Sequence, residues 1–431
     1  MIKIKTSEYV PIEIQEEILK RLPLKPLIQF RSVSKLWKRL IDSPDFMVSY
    51  AVRHPQPDRF ILRYALPDYD HIVEDQYVFF VDNDDENDND HNGFVQQDIV
   101  PTIPDLIKRI ESSSSVVGSS HGLVCFVGGY EYPDDDSSGF DDLSEFDGTK
   151  MVVLWNPSIR KSVGIPVPEM YESPYDDYEI DDVIGFGVCP VTLDPTIIKI
   201  KFINRKMNEM PDISAPWIVR VFTLSTGTWS VLSTNLPRES IGLSTGLSGR
   251  SQIVIDRFIF WLAYDYMLLD AESQSHFLII SFDLIAKEFK EINLPDSPTN
   301  GLREIETISK LRECLVLLEF HRDYETDLEV CCLWMMKKQG ISESFTKLYT
   351  INLPDTTVNT LLGCRKTGAL ILETRQDYEN NAEVQLYEPN SEAIENLEIH
   401  GVDNTFSMCS YKDSSLLLVD QLDGYIYPIS H

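Results

Sequence analysis

The sequence predicts an α+β multidomain protein, in which a small helical domain is followed by a much larger all-β domain. Helical spacing of apolar residues is confined to residues 5–50 of the 431-residue chain. From Arg59 onward the apolar residues instead follow the two-residue period of β-strands. A unit of paired strands separated by polar turns then recurs into the C-terminal region. These observations indicate a helical domain joined to a repetitive β-sheet domain.

The N-terminal domain, residues 5–50, is predicted to contain three short helices. Pro11 occupies a position where a first-turn proline is tolerated, and Pro23 ends the first helix. The apolar face of this helix consists of Ile14, Ile18, Leu19 and Leu22. Pro26 is expected to open the second helix, which carries Leu27 and Phe30.

A third helix is predicted after Ser32 or Ser34, either of which can act as its N-cap. Its apolar face consists of Leu36, Trp37, Leu40 and Ile41, and Asp42-Ser43-Pro44 is expected to end it. A core of fewer than roughly 40 residues is usually too small to be stable without a partner. The helices are therefore expected to supply half of a core shared with another molecule. The alternative is an N-terminal cap packed on the rest of the chain.

Residues 51–117 are predicted to be a connecting segment. It contains two β-rich runs, at 59–64 and 77–82, and an acidic tract at 82–90 that is too polar to bury. The acidic tract is therefore expected to form a solvated loop. A short amphipathic piece beginning at Pro104 leads into the first repeat.

Residues 118–431 are predicted to form a β-propeller. Five units are visible, and their aromatic markers are Trp155, Phe222, Phe282, Trp334 and Tyr387. The spacings of 67, 60, 52 and 53 residues are near the roughly 40 to 50 residues of a four-stranded blade once loop insertions are allowed. A sixth blade is expected to combine the runs at 59–64 and 77–82 with two strands from the C-terminal runs SMCSYKD, SLLLVD and YIYPIS. Joining the chain ends in this way would close a ring without an exposed sheet edge.

The N-terminal segment resembles an F-box. Val10-Pro11 stands where the family usually has Leu-Pro, Glu17-Ile18-Leu19 matches its first helix, LPLKPL at 22–27 its central turn, and FRSVSKLW at 30–37 its third helix. The motifs SHGLVC at 120–125 and LWNPSIRK at 154–161 resemble the F-box-associated, kelch-related domain of plant F-box proteins. This second resemblance covers most of residues 118–354. Gly128-Gly129 is the only glycine doublet of the kind that true kelch blades carry.

The resemblance implies a substrate-recognition subunit of a Skp-cullin-F-box ubiquitin ligase. The F-box would bind a Skp-type adaptor and, through it, a cullin and a RING protein, while the propeller would present a protein client. The residues carried over as the adaptor-binding set are Val10, Pro11, Ile14, Ile18, Leu19, Leu22, Pro23, Leu27 and Phe30. Trp37 and Leu40 are expected to hold the helices together. An alternative is a scaffold protein that acts without ubiquitin transfer.

Two acidic loops, at 134–147 and 172–182, interleave aromatic residues among carboxylates. The candidate client-binding residues in them are Asp134, Asp135, Phe140, Phe146, Tyr175 and Tyr178. Aromatic side chains can anchor a partner while carboxylates steer a basic one. The alternative is that both loops are solvated insertions.

Composition narrows the class of partner. The chain has 38 basic and 69 acidic residues, for a formal net charge of −31. That excess argues against nucleic acid and anionic membrane surfaces as partners. The seven cysteines are scattered and odd in number, so we expect free thiols in a reducing compartment, the cytoplasm or the nucleus.

The sequence predicts neither a catalytic function nor a cofactor or metal site. Ser119, Ser120 and His121 are neighbours in a predicted turn, with no orienting carboxylate implied. A propeller enzyme such as a glycosidase would need convergent carboxylates or a metal on the ring axis, whereas the acidic residues here cluster in loops. We therefore expect a non-catalytic receptor.

Overall fold

The computed structural model describes residues 10–54, 57–66, 74–83, 93–97, 100–110, 115–130, 149–169, 180–203, 216–244, 252–265, 276–294, 303–322, 329–337, 345–351, 353, 356–375, 381–414 and 423–428. Its N-terminal part is helical, and everything after it is built mainly from β-strands. The helices are α1 (Ile12–Leu19), α2 (Leu24–Arg31), α3 (Lys35–Ile41) and α4 (Pro44–Arg53), with a single turn, α5 (Asp105–Lys108), further along.

The N-terminal domain contains four helices, α1 to α4, which is one more than the sequence analysis predicted. Ser43 accepts a hydrogen bond from the backbone N–H of Phe46 at 3.3 Å, and Pro44 occupies the first turn of α4. Serine at the N-cap followed by proline at the first helical position begins a helix as readily as it ends one. The expectation that this motif only ends α3 was therefore incomplete. Ser34, one of the two predicted caps, caps α3 by accepting from the N–H of Trp37.

The described strands form six sheets, defined here as blades 1 to 6. Blade 1 comprises β1 (Asp58–Leu66), β2 (Glu74–Asp82), β3 (Phe94–Gln96) and, from the other end of the chain, β25 (Ser407–Tyr411). Blade 2 comprises β4 (Ser115–Ser120), β5 (Leu123–Tyr130), β6 (Thr149–Asn156) and β7 (Lys161–Pro166), with β26 (Tyr425–Ile426) at its outer edge. Blade 3 comprises β8 (Ile180–Val188), β9 (Pro195–Ile203), β10 (Ile218–Thr223) and β11 (Thr228–Leu232).

The remaining three sheets follow in chain order. Blade 4 comprises β12 (Ile241–Leu243), β13 (Gln252–Ile255), β14 (Phe258–Asp265), β15 (His276–Asp283) and β16 (Glu288–Asn293), and both β12 and β13 pair with β14. Blade 5 comprises β17 (Arg303–Leu311), β18 (Cys314–Arg322), β19 (Glu329–Met336) and β20 (Phe345–Ile351). Blade 6 comprises β21 (Thr357–Cys364), β22 (Leu370–Arg375), β23 (Asn381–Glu388) and β24 (Ala393–Val402).

The six sheets are arranged as a six-bladed propeller, which confirms the predicted fold class. Each pair of neighbouring blades shares one buried apolar cluster, so the core lies between the blades. The five aromatic markers of the sequence all lie in third strands, β6, β10, β15, β19 and β23. A third strand is covered by a neighbouring blade on each face, which favours a large apolar residue there. All seven cysteines are free, and five are buried.

The ring closes in blade 1, where β25 pairs antiparallel with β1 from Arg59↔Tyr411 to Arg63↔Ser407. Joining the chain ends in one blade is therefore confirmed, but the strands that form this blade differ from the expected ones. Three strands come from the N-terminal side and one from the C-terminal side. The sequence analysis missed the third N-terminal strand, β3, because its three residues are too few to show alternation. Tyr425–Ile426, expected in the closing blade, pairs instead with β7 of blade 2. The run at 415–420 lies outside the described residues.

Candidate docking surfaces

Helices α1 to α4 enclose a small apolar core of their own. Its buried members are Leu19, Leu27, Ile41 and Phe46, and the partly buried side chains packed on them are Leu22, Trp37, Leu40 and Tyr50. The expected structural role of Trp37 and Leu40 is thus confirmed. Leu36, which was expected on the same apolar face, is instead exposed.

Polar contacts fix the arrangement of α1, α2 and α3. The Gln15 side chain donates from Nε2 to the carbonyl of Val10 at 2.6 Å, and its Oε1 accepts from the Trp37 indole at 2.6 Å. Arg31 donates two hydrogen bonds to the Asp42 carboxylate, at 2.6 and 2.9 Å. Paired guanidinium–carboxylate contacts are among the stronger charge-assisted hydrogen bonds. These contacts therefore hold the three helices, and the side chains on their surface, in one arrangement.

Helix α4 is tied to α1 and to the turn that follows it. The Tyr50 hydroxyl donates to the carbonyl of Leu22 at 2.8 Å, and Arg53 donates to the Glu17 carboxylate at 2.8 Å. The hydrogen bond from Arg53 lowers the pKa of Glu17. Burial raises the pKa of Tyr50 to about 12, with a smaller contribution from the Asp413 carboxylate beyond the end of β25.

The helical domain also contacts the propeller. Met47 of α4 packs, together with Ile159 and Leu193, against the apolar cluster between blades 2 and 3. Ile159 lies in the turn between β6 and β7, and Leu193 lies in the turn between β8 and β9. The helices thus have their own core and are attached to the turn side of these two blades.

An exposed apolar surface covers the helical domain. Among the described residues it holds eight of the sixteen large apolar side chains that are exposed: Val10, Ile14, Ile18, Phe30, Val33, Leu36, Val48 and Val52. These residues come from a segment of only 45 described positions, 10–54. Concentrated exposed apolar side chains indicate a surface that another molecule covers.

The predicted adaptor-binding residues divide between this surface and the core beneath it. Val10, Ile14, Ile18 and Phe30 are exposed large apolar residues, Pro11 and Pro23 are also exposed, and Leu22 is partly buried. Leu19 and Leu27, by contrast, are only 2% and 1% exposed. Their position supports the helices rather than offering contact atoms. Adaptor binding by the whole set stays a prediction.

Four exposed residues of this surface were not among the predicted ones: Val33, Leu36, Val48 and Val52. Val33 and Leu36 are both more than half exposed. Val33 lies between Ser32 and Ser34 in the link from α2 to α3. Val33 could have been identified from the sequence, because it is a large apolar residue in a polar link that is too short to fold back on the core. Leu36 gave no such signal, because its spacing from Leu40 is that of a core face.

The six candidate client-binding residues, Asp134, Asp135, Phe140, Phe146, Tyr175 and Tyr178, lie outside the described residues. The strand ends that flank the two acidic loops are described. Tyr130 of β5 pairs with Thr149 of β6, and Met151 pairs with Pro166 at the end of β7. Asp182, near the start of β8, forms ion pairs with Lys150 at 3.2 Å and Lys199 at 3.3 Å. Both loops therefore leave and rejoin the propeller at one edge, at the opposite end of the strands from α4.

Ser119 and Ser120 connect blade 2 to its neighbours, and the Ser120 hydroxyl also lies 3.1 Å from Nδ1 of His121. Ser119 donates to the carbonyl of Ser410 in β25, and Ser120 accepts from the N–H of Val188 in blade 3 at 3.1 Å. The expected turn begins at His121, whereas Ser119 and Ser120 belong to strand β4. These serines link the innermost strand of blade 2 to both neighbouring blades.

Asn156 and Gly122, at the turns of blade 2, contact the chain that follows β25. The Asn156 side chain donates to the carbonyl of Ser414 at 2.9 Å and accepts from the N–H of Ser158 at 3.0 Å. Gly122 has a φ of +80°, and an added Cβ would lie 2.4 Å from the carbonyl oxygen of Lys412. Both family-like motifs, at 120–125 and 154–161, therefore hold the chain that follows β25.

Two other kinds of feature, membrane-spanning helices and metal-binding clusters, are absent from the described residues. None of the helices in the described ranges is long and apolar enough to cross a membrane. Within those ranges, no group of three or more His, Cys, Asp or Glu residues is arranged to hold a metal ion.

A short four-helix domain is joined to a six-bladed propeller, and comparison with known families identifies both parts. Residues 10–49 match the F-box domain, and residues 72–422 match the F-box associated beta propeller domain. The chain therefore belongs to the F-box proteins that carry this propeller. The family match begins before and ends after the region 118–354 that the motifs alone had indicated.

Relatives from Arabidopsis thaliana are similar to this chain over most of its length. F-box protein CPR1 is 26% identical, over 80% of this chain and 73% of the relative. F-box/kelch-repeat protein At3g23880 is 25% identical, over 79% of each chain. Putative F-box protein At1g47790 is 22% identical, over 92% of this chain and 87% of the relative. The predicted resemblance to plant F-box proteins is thus confirmed.

Proposed function

We propose that this protein is the substrate-recognition subunit of a Skp-cullin-F-box ubiquitin ligase. The observation that carries the proposal is the concentration of exposed apolar side chains on α1 to α3, on a domain whose core is already filled by Leu19 and Leu27. An F-box implies binding to a Skp-type adaptor, and an apolar face of this kind is what such an adaptor would cover. Cullin and RING protein would be recruited through the adaptor.

The propeller then presents a protein client and performs no chemistry itself. Tethering raises the effective concentration of a client lysine near the recruited ubiquitin-conjugating enzyme. The edge of blades 2 and 3 from which the acidic loops leave lies away from the F-box, so a client bound there would not compete with the adaptor. A net charge of −31 favours a basic client. We place the complex in the cytoplasm, the nucleus or both.

Adaptor binding is tested with a double variant of the exposed face, Ile14→Asp and Ile18→Asp. Both side chains are 51% exposed, so the change removes contact atoms without opening the core. We expect at least about thirtyfold weaker binding to a purified Skp-type adaptor in calorimetry, since two apolar anchors are together worth about 2 kcal/mol or more. Val231→Asp, at an exposed apolar position on β11 of the propeller, is the matched control and should bind as wild type does.

Unchanged affinity in the Ile14/Ile18 variant, with wild-type protein binding tightly, would remove this face from the interface. A second assay separates a ligase receptor from a scaffold that acts without ubiquitin transfer. In a ligase reconstituted with adaptor, cullin, RING protein and conjugating enzyme, a receptor should acquire ubiquitin on itself or on a bound client. Tight adaptor binding with no transfer would favour the scaffold.

A further inference from the structure

The outer edge of blade 2 carries a strand that its counterparts lack. In the described parts of blades 3 to 6, the sheets end at β11, β16, β20 and β24. In blade 2 the C-terminal strand β26 continues the sheet beyond β7, parallel to it, with Tyr425 opposite Val163 and Ile426 opposite Gly164. We call residues 423–428 the C-terminal segment, and the strip of blade 2 and blade 3 that it covers the strand groove.

Backbone hydrogen bonds position the C-terminal segment along β7. The N–H of Gly424 donates to the carbonyl of Ser162 at 3.0 Å, and the N–H of Tyr427 donates to the carbonyl of Gly164 at 2.9 Å. The Asp423 carboxylate accepts from the N–H of Ser162 at 2.8 Å and from its hydroxyl at 3.1 Å. The groove therefore recognises an extended backbone preceded by a carboxylate.

One side chain of the segment enters the protein. Tyr427 is 6% exposed and belongs to the apolar cluster between blades 2 and 3, where its ring lies 5.4 Å from that of Phe222 in an edge-to-face arrangement. Its hydroxyl lies 3.5 Å from the carbonyl of Leu224. Tyr425, two residues earlier, is 38% exposed. The two rings lie on the same side of the strand with their centroids 5.1 Å apart, as expected for residues two positions apart, and only Tyr427 belongs to the apolar cluster.

The surface beneath the segment is shaped for close approach. A Cβ on Gly164 would lie 3.2 Å from the side chain of Ile426, and a Cβ on Gly227 would lie 3.2 Å from the ring of Tyr427. Glycine at both positions lets a strand and an aromatic ring lie directly on the backbone of the two blades. Main-chain pairing along an exposed sheet edge, with a pocket for one side chain, is how strand-adding peptides are recognised.

We propose that the strand groove is a peptide-binding site whose resident ligand is the protein's own C-terminal segment. When that segment leaves, the groove takes an extended peptide from another protein, with an aspartate four positions before a tyrosine. While the segment stays, its tether gives it a high effective concentration and it excludes such peptides. This inference is independent of the proposed adaptor and ligase function.

The test uses the full-length chain with Asp423→Ala and Tyr427→Ala, which removes both anchors of the resident segment. The probe is a fluorescent, end-blocked peptide with the sequence DGYIYP, that of residues 423–428. We expect the double variant to bind this peptide at least tenfold more tightly than wild type does. A probe with alanine in place of its aspartate and second tyrosine should not bind. Ile394→Ala, at an exposed apolar side chain on β24 of blade 6, is the matched control and should behave as wild type.

A folded double variant that does not bind the probe would overturn the proposal, as would equal binding to wild type. If the double variant does not fold, wild type with excess unlabelled probe is examined by hydrogen exchange. We then expect faster exchange at the amides of Gly424 and Tyr427, because the probe displaces the segment. Unchanged protection at saturating probe would show a permanent structural strand and refute the site. Dimers that exchange the segment would also refute it, by making a second copy the ligand.

Discussion

At the residue scale, neighbouring positions of α1 have opposite environments. Ile18 is 51% exposed and Leu19 is 2% exposed, although the sequence analysis assigned both to the apolar face of this helix. The sequence could predict that this helix is amphipathic. It could not divide the apolar residues between core and surface, because one side of the apolar face of this helix enters the core and the other side stays exposed. The same ambiguity hid the exposure of Leu36.

This division predicts different effects of two truncations in the helical domain. Leu27→Ala should lower the free energy of local unfolding by about 2 to 5 kcal/mol, as buried leucine-to-alanine changes do. Ile14→Ala should change it by less than about 0.5 kcal/mol, as at other surface positions. Hydrogen exchange of amides in α1 to α3 measures both. Equal effects in the two variants would contradict the burial described here.

At the scale of elements, the repeated blades could be predicted from the sequence, whereas the very short strands β3 and β26 could not. Aromatic markers and turn residues identify five of the six blades, because a third strand lies between two neighbouring blades and favours a large apolar side chain. Strands of two or three residues, such as β26 and β3, contain too few positions to show alternation. Their place is set by hydrogen bonds to distant strands, which a local pattern does not contain. The N-terminus of α4 was missed because Ser43-Pro44 serves equally as an end and as a beginning.

The turn between β4 and β5 provides a test of how blade 2 holds the closing strand. Gly368→Ala, at a φ of +105° with nothing within 4 Å of the new Cβ, should cost on the order of 1 kcal/mol from backbone strain alone. Gly122→Ala should cost at least about 2 kcal/mol more, because its Cβ would also lie 2.3 Å from Ser414 and the backbone must shift. Denaturant unfolding of the two variants measures the difference. Equal losses would show that the contact with the chain after β25 is easily relaxed.

At the scale of the whole molecule, a buried ion pair joins blade 6 to blade 1. Arg365, in the turn between β21 and β22, donates to the fully buried Asp82 at 3.0 Å from Nε and at 2.7 Å from Nη2. The same guanidinium lies over the ring of Phe94 in β3, 5.5 Å from its centroid. This pair therefore connects the last complete blade to the blade that closes the ring.

Removing one member of that pair should weaken the ring as a whole. Arg365→Ala should lower the free energy of unfolding by about 3 to 5 kcal/mol, because it leaves the Asp82 charge buried without its main partner. Lys366→Ala, next in the chain and partly exposed with an ion pair to Asp58 at 3.4 Å, should cost less than about 1 kcal/mol. Thermal or denaturant unfolding with tryptophan fluorescence measures both. A loss for Arg365→Ala no larger than for Lys366→Ala would contradict this role.

Pairing of β1 with β25 also has a consequence for synthesis. Arg59 and Tyr411 are partners although roughly 350 residues separate them. At about 5 to 20 residues per second, a ribosome needs on the order of 20 to 70 s to make the second strand after the first. Throughout that time one edge of β1 has no partner and is open to pairing with other chains. The F-box helices, which enclose a core of their own, emerge long before this, so a nascent chain exposes their apolar face well before its propeller can close.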